Sequence, residues 1–141
     1  MKKKVLFLCT GNTCRSQMAQ AVINEEYGEI WEAVSAGTFP GKETNPNARK
    51  VLAEIGIEHE GHPKSPDVFR NDNLDLVITI CDDAAENCPA WLGEGSIIHH
   101  GLPDPLDAEG SAEEVLAVYR AVLGRIQTEI PPLLDAHLAK Y

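Results

Sequence analysis

Short apolar runs alternate along this chain with stretches of helical spacing. Val5-Leu6-Phe7-Leu8 is almost continuously apolar, as a central strand covered on both faces would be, and it predicts a β-strand over Lys4 to Leu8. From Gln17 to Tyr27 the period becomes helical, with Met18, Ala21, Val22 and Ile23 on one face and Asn24, Glu25 and Glu26 turned outward. Trp31 to Ala36 reads as a second strand that Gly37 ends. Pro46 stands where a first helical turn begins, and Ala48, Val51, Leu52 and Ile55 follow at helical spacing as far as Gly56. Gly61 to Asn73, with Pro63 and Pro66, predicts loop with one helical turn. Leu74 to Ile80 is the third strand, Asp82 to Asn87 a brief acidic helix, and Ser96 to His99 the fourth strand. From Ser111 onward Val115, Leu116, Val118, Tyr119, Val122, Leu123 and Ile126 line one face of a long helix, and Ser111 with Glu114 forms a capping box at its start.

Strands alternating with helices imply βαβ units, right-handed crossovers and an α/β fold around a parallel sheet. Short crossovers suggest the order 2-1-3-4 of flavodoxin-like topology, with strands one and three adjacent. Cys9, Cys81 and Asp104 then all fall at the carboxyl edge, where doubly wound sheets bind ligands. Neighbouring strands are about 4.8 Å apart, which brings Cys81 within reach of Cys9 for sulfur chemistry.

At 141 residues and 43% hydrophobic content the chain, 1–141, is expected to be one domain with one core. A formal net charge of −10 argues against nucleic acid or an anionic membrane as partner, so an anionic substrate has to be held by local positive charge. The run after Lys2-Lys3-Lys4 is too short for a secretory signal, and no apolar stretch approaches the length of about 20 residues needed to span a bilayer. These features predict a cytoplasmic protein, expected as a monomer. In that reducing compartment its four cysteines read as catalytic, metal-binding or spare thiols, not as a disulfide framework.

The chemistry concentrates in Cys9-Thr10-Gly11-Asn12-Thr13-Cys14-Arg15-Ser16. A strand that turns through such a loop into a helix aims several N–H groups and the positive end of the helix dipole at one point, an anion site. These donors and Arg15 would stabilise a Cys9 thiolate, so Cys9 reads as a nucleophile. Arg15 offers a bidentate fork for two oxygens of a tetrahedral oxyanion, and Ser16 can donate a hydrogen bond to the sulfur. Gly11 permits close backbone approach, and Asn12 tolerates the left-handed conformation of a tight loop. A cysteine ending a buried strand is also a common packing residue, and a cysteine five residues before an arginine is a weak pattern alone. The strand before it, the Gly-Asn pair inside it and the Arg-Ser and helix after it raise the odds. Cys14 reads as a packed thiol.

This segment resembles the phosphate-binding loop of the low-molecular-weight protein tyrosine phosphatase fold. Extended through Gln17-Met18-Ala19, it resembles the thioredoxin-coupled arsenate reductases built on that fold. Cys81 and Cys88 match the later cysteines of those reductases, which phosphatases do not need. The resemblance implies a relay in which Cys9 attacks arsenate, Cys81 attacks Cys9, Cys88 attacks Cys81, and thioredoxin reduces the final disulfide. Were residues 82–88 helical, Cys81 and Cys88 would stand roughly 10 Å apart, beyond the reach of about 7 Å for a disulfide, so the segment is expected to reshape on oxidation. Asp104, in Leu102-Pro103-Asp104-Pro105, matches the fold's general acid, although an Asp between prolines is also an ordinary turn residue. Leu106-Asp107 follows where phosphotyrosine phosphatases carry aromatic residues, which suits a small inorganic substrate.

Two rivals stand beside the reductase. One is a phosphatase acting through Cys9, Arg15 and Asp104, and the other a non-catalytic oxyanion- or zinc-binding regulator. His99-His100 with Cys81 and Cys88 fits no familiar zinc spacing, so no metal site is predicted. Some relatives hold potassium beside the loop; Asn12, Ser35 and Asp67 could correspond, but the helix position is Gln20. No other cofactor is expected.

Overall fold

The computed structural model describes residues 2–80 and 95–140. Strand β1 (Lys3–Cys9) lies inside the sheet, its residues Val5 to Cys9 all buried. β2 (Trp31–Gly37) pairs with one edge of it and β3 (Leu76–Thr79) with the other, while β4 (Ser96–His99) lies outside β3. Every pairing is parallel and the order is β2-β1-β3-β4, as the crossover argument expected. The register sets Cys9 against Gly37 and Leu8 against Thr79.

The unbroken apolar character of β1 follows from two cores. Val5 and Phe7 face a large one shared with Met18, Val22, Leu76 and Ile126. Leu6 and Leu8 face a smaller one with Ala36, Leu74, Val77 and Phe69, the last supplied by a 3-10 turn at Pro66–Phe69. Helix α1 (Arg15–Glu26) begins earlier than the apolar period predicts, because its first turn buries the polar residues Arg15, Ser16 and Gln17. A hydrophobic pattern cannot register such a turn, whose side chains are satisfied by hydrogen bonds.

Helix α2 (Pro46–Glu54) starts as its proline predicted, with Asn45 capping it by accepting from the Asn47 N–H at 2.8 Å. Strand β3 is shorter than Leu74 to Ile80: the Leu74 N–H turns back to the Asp72 carbonyl, although Ile80 N–H still reaches the Leu8 carbonyl at 2.9 Å. Helix α3 (Ala112–Lys140) has the predicted box, Glu114 N–H to Ser111 Oγ at 3.1 Å and Ser111 N–H to Glu114 Oε1 at 3.2 Å. It runs on through Pro131 and Pro132, where buried Ile130 and Leu134 hold packing that outweighs the lost backbone bonds. The short helix expected at Asp82 to Asn87 lies outside the described residues, as do Cys81 and Cys88. No helix among the described residues is long and apolar enough to cross a membrane.

Candidate active site

Beyond β1 the chain turns at the carboxyl edge of the sheet and enters α1. The carbonyls of Cys9, Thr10, Gly11 and Thr13 accept from the N–H groups of Thr38, Phe39, Gly41 and Asn45 at 2.8–3.2 Å. With those carbonyls tied to the segment after β2, the loop presents its N–H face to an anion. The Asn12 N–H donates to Cys9 Sγ at 3.2 Å, and Asn12 itself has the left-handed φ of 55° that the sequence led us to expect. Gly37 makes this close packing possible: a Cβ there would stand 2.5 Å from the Thr10 carbonyl and 2.8 Å from the Asn12 nitrogen.

Side chains complete the setting of the sulfur. Asn12 Oδ1 accepts from the backbone N–H of Lys64 at 3.0 Å, so its Nδ2 points at Ser16 Oγ, 2.7 Å away, and donates. Toward a Cys9 thiolate, which can only accept, Ser16 Oγ gives its own proton to Sγ, 2.9 Å away. Cys9 therefore has two converging donors, one from the backbone and one from Ser16, on a buried sulfur.

Arg15 is 7% exposed and locked in place: its NH1 donates to the Leu102 carbonyl at 3.0 Å and to the Ile80 carbonyl at 3.4 Å. Its NH2 faces Asp104 Oδ2 at 3.5 Å. Asp104 also caps the 3-10 turn Pro105–Asp107, its Oδ1 accepting from the Leu106 N–H at 3.0 Å, so it is at once a turn residue and part of the site. Residues 9–15, Asp104 and Leu106 line a cavity of about 290 Å³. A larger hollow of about 510 Å³ at the opposite edge of the sheet, around Tyr27 to Ile30, is lined by no cysteine.

Cys14 is buried beneath the loop, and desolvation first, then the charge of Asp104, pushes its thiol up to about 12. It stays protonated, as a packing residue should. Cys9 and Cys14 are both free thiols. His99 Nδ1 meets Thr79 Oγ1 at 2.8 Å and His100 Nε2 meets Glu129 Oε1 at 2.7 Å, so both histidines have structural partners. Among the described residues no three His, Cys, Asp or Glu side chains stand together to hold a metal.

Of the residues named for potassium, Ser35 and Asp67 have partners within the chain. Ser35 Oγ donates to Gln20 Oε1 at 2.5 Å, and Asp67 pairs with Arg70 at 2.9 Å on the surface. The Lys64 ammonium itself donates to the Ser35 carbonyl at 3.4 Å, and burial lowers its pKa from the usual lysine value. Lys64 thus brings a positive charge of the chain's own to the backbone of Ser35.

Sequence reasoning singled out Cys9, Cys81, Cys88, Arg15 and Asp104 for catalysis and Thr10, Gly11, Asn12, Thr13, Cys14 and Ser16 for the anion loop; Cys81 and Cys88 lie outside the described residues, and the others fall on one cavity wall or its immediate support. It passed over Lys64, His59 and the side chain of Gln17. Lone polar residues in loops carry no periodic signal; a polar residue opening an apolar helix was the one available clue.

A family model described as low molecular weight phosphotyrosine protein phosphatase matches residues 4–141. An arsenate reductase of Halalkalibacterium halodurans is 42% identical over 130 residues, covering 92% of this chain and 93% of that protein. Among solved structures, an arsenate reductase of Archaeoglobus fulgidus superposes with a TM-score of 0.78 at 27% identity, over 93% of this chain and 98% of the other. The thioredoxin-dependent arsenate reductase of Corynebacterium glutamicum superposes with a TM-score of 0.65 at 29% identity, over 99% of this chain and 64% of the other.

Proposed function

The chain belongs to the low molecular weight phosphotyrosine protein phosphatase family, and from that premise we propose that it is an arsenate reductase whose Cys9, Cys81 and Cys88 relay oxidation to thioredoxin. The observation that carries this reading is the sulfur of Cys9, held by the Asn12 N–H and the Ser16 hydroxyl at a cavity walled by the fixed guanidinium of Arg15. The similarity to proteins named arsenate reductase supports the choice of substrate.

The loop amides and Arg15 grip the oxygens of arsenate while the Cys9 thiolate attacks arsenic, forming an S–As bond as one hydroxyl group departs. Asp104, at the cavity edge, is the group proposed to hand that leaving oxygen a proton so that it departs as water. The Cys81 thiolate then attacks the Cys9 sulfur. The S–As bond breaks with its electron pair going to arsenic, so arsenic is reduced by two electrons, arsenite leaves, and two thiolates become the Cys9–Cys81 disulfide. Cys88 attacks Cys81 next and frees Cys9. The dithiol of thioredoxin reduces the Cys81–Cys88 bond and restores both thiols. Ile80, whose carbonyl Arg15 touches, directly precedes Cys81 in the chain, which supports Cys81 as the partner of Cys9. The proposed setting is a monomer in the reducing cytoplasm.

Arsenite release, followed with thioredoxin, its reductase and NADPH, tests the reading. Wild-type protein should turn over continuously and Cys88→Ser should stop after about one equivalent. Continuous turnover in Cys88→Ser would contradict it. A second reading, hydrolysis of a phosphomonoester through a Cys9 phosphocysteine, is favoured by one observation, the Asp104 carboxylate facing the same cavity as Cys9 and Arg15. Turnover of an aryl phosphate that Asp104→Asn abolishes would support it.

A further inference from the structure

Gln17 is fully buried inside the first turn of α1, and its amide is satisfied on both sides. Its Nε2 donates to the Asn12 carbonyl at 3.1 Å and to Asn12 Oδ1 at 3.3 Å. A backbone carbonyl only accepts, so the orientation of the Gln17 amide is fixed and its Oε1 faces His59 Nε2, 2.6 Å away. His59 must therefore be the donor. The Lys64 backbone N–H fixes Asn12 in the same manner, since Asn12 Oδ1 has to accept from it and Nδ2 has to donate to Ser16. Read in order, His59 donates to Gln17, Gln17 to Asn12, Asn12 to Ser16 and Ser16 to the Cys9 sulfur, every bond pointing the same way.

The pair at the head of this chain has a fitted enclosure. A Cβ on Gly61 would fall on both His59 Nε2 and Gln17 Oε1, the two atoms of their hydrogen bond. Gly61 is pinned there, its carbonyl accepting from Thr44 Oγ1 at 2.7 Å, and Thr44 is itself buried. Desolvation first, and then the charges of Arg49 and Lys64, lower the His59 pKa from its usual value, so the ring is a neutral donor at pH 7.

We propose that His59 is a positioning residue for Cys9, acting at a distance through Gln17, Asn12 and Ser16 to aim the Ser16 hydroxyl at the sulfur. The inference rests on Cys9 being the reactive thiol, and it concerns that thiol alone, whichever substrate it attacks. Without His59 the Gln17 oxygen is left buried and unpaired, and the amide rotates to find a donor. That rotation takes the Gln17 donor away from the Asn12 carbonyl, on which no other side-chain donor is found among the described residues, and from Asn12 Oδ1, leaving the Lys64 N–H alone to hold the Asn12 side chain and loosening the aim of the Ser16 hydroxyl at the sulfur.

Iodoacetamide alkylation of Cys9 in the reduced full chain, quantified on its peptide by mass spectrometry, tests this without any turnover. His59→Leu and Gly61→Ala should each react about threefold or more slowly than wild type at pH 7, the factor that losing one buried hydrogen bond implies. The deficit should vanish at pH 10, where an ordinary thiol is ionised without help. His59→Gln, whose amide nitrogen can replace the ring Nε2 as donor, should restore the wild-type rate. Wild-type rates at pH 7 in Gly61→Ala and in folded His59→Leu overturn the proposal, and so does an equal deficit at both pH values, the mark of a general structural defect. Wild-type Cys9 reacting no faster at pH 7 than a free cysteine would instead remove the nucleophile reading and this inference with it.

Discussion

Arg15 illustrates what a single residue owes to its surroundings. Its guanidinium is buried yet anchored by two carbonyls, so the fork is preorganised before any anion arrives. Arg15→Lys keeps the charge but loses the planar geometry, and kcat/KM for arsenate should fall by about a hundredfold or more. Thioredoxin-coupled initial rates at subsaturating arsenate check this; a loss under tenfold would deny the fork its role. Cys9, Arg15 and Asp104 were legible because each carries a residue type tied to one chemistry and each follows a strand. Gln17, His59 and Lys64 were not, because their roles exist only through hydrogen bonds to residues 5, 42 and 52 positions away in the chain.

Among the elements, β2 shows how a sheet strand serves a loop. Its last residue, Gly37, is in contact with the backbone of the anion loop, which cannot move aside as the end of a flexible side chain could. Inorganic phosphate should raise the thermal midpoint of the wild type, and Gly37→Ala should destabilise the protein by about 1–3 kcal/mol and remove that rise. An unchanged phosphate response would show that the loop tolerates the displacement. Helix α3 braces the other side of the site. Its Glu129 binds Arg125 at 2.7 Å and also His100, three residues before the Pro103-Asp104-Pro105 segment, and these bonds, Arg125 first, hold its pKa down to about 2. A carboxylate with a depressed folded-state pKa stabilises above its unfolded value near 4.5, and that stability fades as pH falls toward 2. Thermal midpoints measured from pH 5 to pH 2 should therefore drop less steeply for Glu129→Gln than for wild type, and parallel curves would contradict the pairing. The order and kind of the elements could be read from apolar periodicity. Their ends shifted where hydrogen bonds took over from hydrophobic pattern, as at the polar first turn of α1 and at Leu74.

At the scale of the whole molecule, an acidic chain with a net charge of −10 sets the buried guanidinium of Arg15 and the loop N–H groups at the carboxyl edge of its parallel sheet. The order β2-β1-β3-β4 followed from short right-handed crossovers, and it brings the end of β1 beside the end of β3, two residues before Cys81 in the chain. Phosphatases of this fold share that sheet order, so what would separate the proposed reductase from them is the presence of Cys81 and Cys88 in the sequence. The relay is best tested by mass spectrometric mapping of all four cysteines after one arsenate turnover without reductant. The account predicts one equivalent of arsenite, a Cys81–Cys88 disulfide, and Cys9 and Cys14 as free thiols; arsenite formed with Cys81 and Cys88 still reduced would contradict it.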